Sequence, residues 1–166
     1  MDKIILAIQQ LLNTAVAVIS SPIGDIKRVF YGDPVIIPES DLPSLAIQRI
    51  WTEYIQRGSR YDQKVHTVEI RLIYNAKDYF KSSYADVNKV FAVEKSIKQI
   101  EDSSSRSVLA NTVCGVIQKN QRLPYNSVFM ADLSRITTVT YNFSEERGFP
   151  SYEVTVTLVA DAVGDR

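Results

Sequence analysis

The stretch from Lys64 to Tyr74 constrains the fold of this chain more than any other feature, because its apolar and polar residues alternate over most of its length. The apolar side consists of alternate positions: His66, Val68, Ile70, Leu72 and Tyr74. Successive side chains of a strand point to opposite faces, so the pattern predicts a strand with one buried face. Leu45 to Ile55 alternates less regularly and is joined to it by the polar loop Gln56 to Gln63. The two segments therefore predict an antiparallel hairpin.

A second hairpin is predicted near the C-terminus, from Arg135 to Phe143 and from Tyr152 to Ala160. Both segments are rich in threonine, which is typical of a half-exposed sheet. The charged loop Ser144 to Ser151 connects them. Shorter strands are predicted at Ile26 to Tyr31 and at Thr112 to Gln118, and a turn at Pro124-Tyr125-Asn126.

Two amphipathic helices accompany these strands. The first begins near Asp2 and ends before Pro22, with apolar residues recurring every three or four positions. The second runs from about Val87 to Ile100, with Asp86 as its N-cap, after a linker from Asn75 to Phe80. With the two hairpins, this order predicts an α+β fold, in which a mainly antiparallel sheet carries the N-terminal helix and one central helix.

Composition narrows the range of partners. A chain of 166 residues is long enough for one domain, expected to span 1–166, that needs no disulfide or metal for stability. Nineteen basic residues balance nineteen acidic ones, whereas proteins that grip nucleic acid usually carry a basic excess. No segment reaches the roughly 20 apolar residues of a membrane span, so no membrane partner is expected.

The sequence contains no recognisable catalytic motif, phosphate-binding glycine loop or metal-ligand cluster. Cys114 lies in an apolar run, which predicts a small buried side chain. One histidine and one cysteine cannot complete a zinc site. The adjacent acids Glu101-Asp102 and Glu145-Glu146 lie in polar loops and are expected to be solvated. We therefore predict no catalytic, cofactor or metal site. An enzyme or ligand-binding domain centred on His66, with carboxylates brought to it by folding, stays open as an alternative.

Three segments are candidate contact surfaces. The first is an arm punctuated by Pro34, Pro38 and Pro43, which the prolines should keep extended and free of helix. Such an arm could reach a neighbouring subunit with little ordering cost. The second is the charged loop that contains Glu145, Glu146 and Arg147.

The third segment is the loop that contains Arg57, Arg60 and Tyr61. Its mixture of basic and aromatic residues suits a phosphate backbone, a partner protein or simply a solvated hairpin tip. Trp51 and Tyr54 beside it favour the partner protein, because aromatic residues and arginine are enriched at protein interfaces.

The order of these elements resembles that of the tail terminator and tail-completion proteins of tailed bacteriophages. An amphipathic helix leads into Ile26-Lys-Arg-Val-Phe-Tyr-Gly-Asp-Pro34 and the proline arm. Pro43-Ser-Leu-Ala-Ile-Gln48 then opens the first hairpin, whose second strand is Tyr61-Asp-Gln-Lys-Val-His-Thr-Val-Glu-Ile-Arg-Leu-Ile-Tyr74. One helix and a strong terminal hairpin follow. The resemblance covers nearly the whole chain and rests on the order of its elements.

The resemblance implies a structural role in the virion and no enzymatic activity or cofactor. Such subunits form a homo-oligomer, typically a hexameric ring, that ends the tail tube and docks to the neck or head connector. In contractile tails the ring also meets the sheath, and DNA passes through its lumen without specific binding. The ring is assembled in the host cytoplasm and ends in the tail or neck of the particle. A different neck, sheath or tube component is the nearest alternative.

Overall fold

The computed structural model describes residues 2–17, 25–56, 62–79, 96–101, 112–126 and 128–163. The strands within these ranges are β1 (Arg28–Tyr31), β2 (Ser44–Gln56), β3 (Asp62–Asn75), β4 (Arg122–Tyr125), β5 (Val128–Ser144) and β6 (Ser151–Val163). The helical segments are α1 (Lys3–Ala17), α2 (Ala76–Tyr79), α3 (residues 96–100) and α4 (Val113–Lys119), with a 3-10 turn at Glu39–Asp41.

The strands form a single six-stranded sheet in the order β1-β2-β3-β6-β5-β4. Only β1 pairs in parallel, with β2, and the other four pairings are antiparallel. The predicted α+β fold with a mainly antiparallel sheet is therefore confirmed. Both predicted hairpins form, and β3 and β6 pair along their whole lengths at the centre of the sheet. Because the three pairings that link β2 to β5 are all antiparallel, β2 and β5 run in opposite directions.

The helices cover one face of the sheet. The alternation predicted for β3 is confirmed, since Val68, Ile70 and Leu72 are fully buried on this face. Their register partners on β6 are Leu158, Val156 and Val154, which are buried as well. The apolar stripe of α1 packs into the same cluster, together with Ile100 and the apolar residues of α4. Each fully buried aliphatic side chain stabilises the fold by roughly 1.5–3 kcal/mol.

Among the described residues, the opposite face of the sheet is covered at one end alone, where the proline arm folds back over it. Ile37 and Leu42 of the arm pack with Ala46 of β2 and Ile73 of β3. Ile73 is thus fully buried although it lies on the polar side of the β3 alternation. Beyond the arm this face carries a row of threonines that are exposed or half-buried: Thr138, Thr140, Thr155 and Thr157.

The predicted strand from Thr112 to Gln118 is wrong, because this segment forms the helix α4. The Thr112 hydroxyl accepts a hydrogen bond from the Gly115 amide at 3.0 Å and caps the helix N-terminus. A short apolar run such as Val113 to Ile117 fits a buried helix as well as a buried strand, and periodicity alone does not separate them.

Three turns and linkers also differ from the predictions. The arm contains one 3-10 turn, Glu39–Asp41, which fits between its prolines. Pro124 lies in β4, at a register shift after Leu123, and the turn falls on Asn126, whose φ is 49°. Residues Ala76–Tyr79 of the predicted linker form the helical turn α2. Of the predicted helix 87–100, residues 96–100 are helical, and residues 87–95 lie outside the described ranges.

No helix within the described ranges is both long enough and apolar enough to span a membrane.

Candidate assembly interface

His66 is a buried core residue of β3. Its side chain is 4% exposed, and its Nδ1 lies 2.9 Å from the Thr52 hydroxyl on β2. Burial, and then the positive charge of Arg49, lower the pKa of His66 below its ordinary value. The nearby Asp2 carboxylate is paired with Arg49 at 2.9 Å. His66 is therefore a neutral, hydrogen-bonded imidazole at neutral pH, and the carboxylate near it is bound to an arginine.

Cys114 is buried in α4. Burial raises the pKa of its thiol to about 12, with a further contribution from the charge of Glu101. A thiol with so high a pKa has almost no thiolate at neutral pH, and the thiolate is the nucleophilic form. Within the part of the chain that the structure describes, no group of three His, Cys, Asp or Glu side chains could hold a metal ion.

One concave surface of the fold lies where α1 meets β4 and is lined by uncharged residues. A groove of about 350 Å³ there has apolar walls from Ala7, Leu11, Leu123 and Pro124. Its polar lining comes from the amides and hydroxyl of Gln10, Thr14, Asn120 and Asn126. None of these side chains titrates, so the groove supplies no general acid or base.

A buried cluster of charges holds the arm against the sheet. Arg147 donates from Nε to Glu153 Oε1 at 2.6 Å, and its Nη2 lies 2.7 Å from Asp33 Oδ1. Burial alone would lower the pKa of Arg147, but the hydrogen bonds to Glu153 and Asp33 outweigh it and raise the pKa. Arg71 joins the cluster through Asp33 at 2.7 Å and Glu69 at 3.1 Å. Each of the two arginines thus bridges acidic groups on different segments.

The three prolines of the arm are engaged within their own subunit. The Pro34 carbonyl accepts a hydrogen bond from Arg147, and the Pro43 carbonyl accepts one from the Lys27 amide at 2.8 Å. Pro38 precedes the 3-10 turn, and the Leu42-Pro43 peptide bond is cis. The arm still presents two apolar side chains to solvent, Val35 at 69% and Ile36 at 83% exposure.

The other predicted contact residues divide into two groups. Arg57, Arg60 and Tyr61 lie outside the described residues, and their proposed role stays a prediction. Glu145 and Glu146 are exposed, whereas the Arg147 side chain is only 6% exposed and is committed to internal ion pairs. The structure therefore brings Arg147 and Pro34 together inside the molecule and leaves the two acids at its surface.

Within the described ranges, two strand edges of the sheet have no partner strand along part of their length. β1 pairs with β2 only from Ser44 to Ile47. Among the described residues, the later stretch Trp51–Gln56 pairs with β3 alone, and we call it the β2 edge. On the other side of the sheet β4 pairs with β5 only up to Asp132. The stretch Thr138–Asn142 pairs with β6 alone among the described residues, and we call it the β5 edge.

The exposed apolar side chains concentrate at these edges. Eight large apolar residues in the described part of the chain are exposed, and five of them lie on or directly beside the two edges: Ile50, Trp51, Tyr54, Tyr141 and Phe143. Trp51 and Tyr54 are 66% and 69% exposed. The Tyr141 hydroxyl donates to Glu101 at 3.0 Å, which leaves part of its ring at the surface. Aromatic side chains at an open edge are typical of protein interfaces.

Sequence reasoning singled out Trp51 and Tyr54 as aromatic residues that favour a partner protein, but it did not single out the exposed Tyr141 and Phe143. The two pairs look alike in the sequence, since each belongs to a strand with mixed polar and aromatic residues. What separates an edge strand from a central one is the order of strands in the sheet, and alternation carries no information about that order.

Comparisons with known proteins add a distant likeness. No family model matches the chain, and no curated protein sequence matches it. Among solved structures, a chain described as part of the virion of a native gene transfer agent particle aligns with 98% of this chain and 96% of its own length. The two are 14% identical, and the TM-score is 0.43.

Proposed function

We propose that this chain is a structural protein of a phage-like virion, a tail terminator that forms a ring on the end of the tail tube and joins it to the neck or head connector. The arrangement of open edges carries the proposal. The β2 edge and the β5 edge lie on opposite sides of one sheet, and the exposed aromatic residues gather at both. A subunit with two different contact sides is suited to head-to-tail association.

The order of elements supports the same proposal. The helix α1, the proline arm, the β2–β3 hairpin and the terminal β5–β6 hairpin follow one another as in the tail terminator proteins that the sequence resembles. In a closed ring, each subunit uses one side to contact the opposite side of the next subunit. Both contact sides of every subunit are then buried.

The two faces of the sheet would then have different roles. The helices on one face are suited to the outside of the ring. The other face offers a lumen the hydroxyl groups of the threonine row, and its charged residues, among them Glu53, Glu69, Arg71 and Glu153, give it no cationic excess. DNA could pass such a surface without being held, because retention of a polyanion requires a cationic excess.

Mass photometry and negative-stain electron microscopy of the purified protein test the ring. Closed rings of one size are expected at micromolar concentration, together with binding to the ends of isolated tail tubes. Long stacks would instead identify a tube subunit. A monomer that persists at high concentration and has no affinity for tube ends would contradict the proposal.

A further inference from the structure

We infer that neighbouring copies of this chain join by antiparallel pairing of the β5 edge of one copy (Thr138–Asn142) with the β2 edge of the next (Trp51–Gln56). This inference deepens the proposed function by naming the surface that builds the ring. It rests on that proposal for closure into a ring, whereas the pairing of edges can be tested separately. The partner is a second copy of the same chain.

The direction of pairing follows from the topology. β2 runs antiparallel to β3, β3 to β6, and β6 to β5, so β2 and β5 of one copy run in opposite directions. A neighbour related by a modest rotation keeps its strand directions. Its β2 therefore arrives antiparallel to β5 of the first copy, and the alternation of the sheet continues across the boundary.

The two edges lie at different heights in the sheet. Glu53 on the β2 edge is level with Val65 of β3, whereas Thr140 on the β5 edge is level, through Thr155, with Arg71 of β3. A neighbour must shift by about six residues, roughly 20 Å, to bring the edges together. Each copy contributes the four strands β2, β3, β6 and β5 to the continuous sheet, which together span roughly 19 Å. The strands would then incline by about 45° to the ring axis, the upper end of the tilt found in closed barrels.

The same shift clears the short strands that flank the edges. If Glu53 lies opposite Thr140, pairing extends from Trp51 opposite Asn142 to Ile55 opposite Thr138. β1 pairs with β2 only as far as Ile47, and β4 pairs with β5 only up to Asp132. Both short strands thus lie beyond the ends of the new pairing, and neither blocks it.

The side chains of the two edges also match. Glu53 and Trp51 lie on the helix-free face, as do Thr138, Thr140 and Asn142. If the helix-free face continues from one copy to the next, Tyr54 lies opposite Val139 or Tyr141 on the face that the helices cover. Cross-strand pairs of aromatic with aromatic or β-branched residues each stabilise a sheet by roughly 0.2–1 kcal/mol.

The β5 edge carries none of the devices that keep strand edges apart. Its residues Thr138–Asn142 include no charge and no proline, and they have high β-propensity. Proteins usually protect an edge with lysine, proline or a bulge. The bulges of β5 fall before Thr138, so the edge itself is regular. A regular, uncharged and exposed strand edge is a template for another strand.

Engineered cysteines test the pairing on the full-length protein. Glu53→Cys and Thr140→Cys proteins are purified separately, mixed, dissociated by dilution, reassembled and oxidised. Directly opposed positions of an antiparallel pair bring Cβ atoms close enough for a disulfide. The expected result is a disulfide-linked dimer in the mixture and none in either protein alone. In a second mixture, Asn142→Cys replaces Thr140→Cys. This mixture tests the register shifted by two residues, in which each side chain stays on the same face of the sheet.

Each other outcome has its own meaning. A disulfide in the Thr140→Cys protein alone would show β5 pairing with β5 and overturn the inference. Rings that assemble without any of these disulfides would overturn the pairing and leave the ring intact. Open chains of subunits that contain disulfide-linked dimers would support the pairing and contradict the closed ring. A monomer without disulfides at high concentration would contradict both.

A charge placed on the edge provides an independent measurement. Thr140→Glu puts a second carboxylate opposite Glu53 in the proposed contact, so the concentration for half-assembly should rise roughly tenfold or more. Thr140 is exposed, and the circular dichroism spectrum should not change. The matched control is Gln10→Glu, at an exposed position of α1 away from both edges, which should assemble like the natural protein. Equal assembly of the two variants would overturn the inference.

Discussion

The guanidinium of Arg147 contacts Glu153 at 2.6 Å and Asp33 at 2.7 Å, and so a single buried cation ties the loop between β5 and β6 both to β6 and to the start of the proline arm. The same side chain donates to the Pro34 carbonyl. The arm therefore remains on the sheet through a charge network as well as through the apolar contacts of Ile37 and Leu42.

Arg147→Ala should lower the free energy of unfolding by about 3–5 kcal/mol, because the buried Glu153 carboxylate loses its nearest cation and Asp33 keeps only its ion pair with Arg71. Urea denaturation followed by circular dichroism measures the change. The control is Arg28→Ala, which removes an ion pair to Asp41 whose arginine side chain is 58% exposed. That loss should stay below about 1 kcal/mol. Equal losses for the two variants would show that the buried cluster does not stabilise the fold.

The stability of the protein should depend on His66 as the pH falls. The folded-state pKa of His66 is lowered, so the unfolded chain takes up a proton first, near pH 6.5. The stabilisation from neutral His66 is complete above that pH and is lost as the pH falls towards the folded-state pKa.

Urea denaturation of the natural protein and of His66→Gln, at several values from pH 7.5 to pH 5, isolates this contribution. Glutamine keeps a hydrogen-bonding group for Thr52 but does not titrate in this range. The natural protein should lose more stability than the variant as the pH falls. Parallel pH profiles would contradict the assignment of a lowered pKa.

Leu12→Ala should destabilise the fold by about 2–5 kcal/mol, because it opens a cavity where α1 packs against the sheet. Leu12 is fully buried, whereas its neighbour Leu11 is only half-buried. Leu11→Ala removes the same atoms and should cost clearly less. Thermal and urea denaturation of both variants check the difference, and a reversed order would mean that α1 does not pack through this stripe.

Thr112→Ala should cost about 1 kcal/mol, because the Gly115 amide loses its capping acceptor at the start of α4. Thr112→Ser keeps the hydroxyl and should remain within a few tenths of a kcal/mol of the natural protein. The two variants are compared by urea denaturation. If both substitutions are equally costly, the hydroxyl is not what stabilises this end of the helix.

The alternation of Lys64 to Tyr74 and the apolar stripe of α1 were sufficient to predict the sheet and the helix on it, because each pattern has one period and one buried face. The run Val113 to Ile117 was not predictable, because five apolar residues have no period, and the capping hydroxyl of Thr112 also suits a strand. The burial of Ile73 was missed for a different reason: it depends on an arm about 30 residues earlier in the sequence.

The exposed strand edges were predictable only in part. Trp51 and Tyr54 stood out because aromatic residues beside a basic loop are characteristic of interfaces. The β5 edge did not stand out in the sequence. Its exposure depends on the shortness of β4 and on the place of β5 in the strand order. Arg147 was predicted to face a partner because loop charges are usually solvated. In the structure it pairs with Glu153 on the next strand and with Asp33, which is distant in sequence and lies at the start of the arm.

The buried thiol of Cys114 gives the chain a practical property. With a pKa of about 12 instead of 9, its thiolate population is about a thousandfold smaller than that of an ordinary cysteine. Maleimide dyes and spin labels react with thiolates, so any cysteine added at the surface should be labelled selectively without removal of the natural one. A variant with one added surface cysteine is thus suited to labelling at a single site, for fluorescence or distance measurements during assembly.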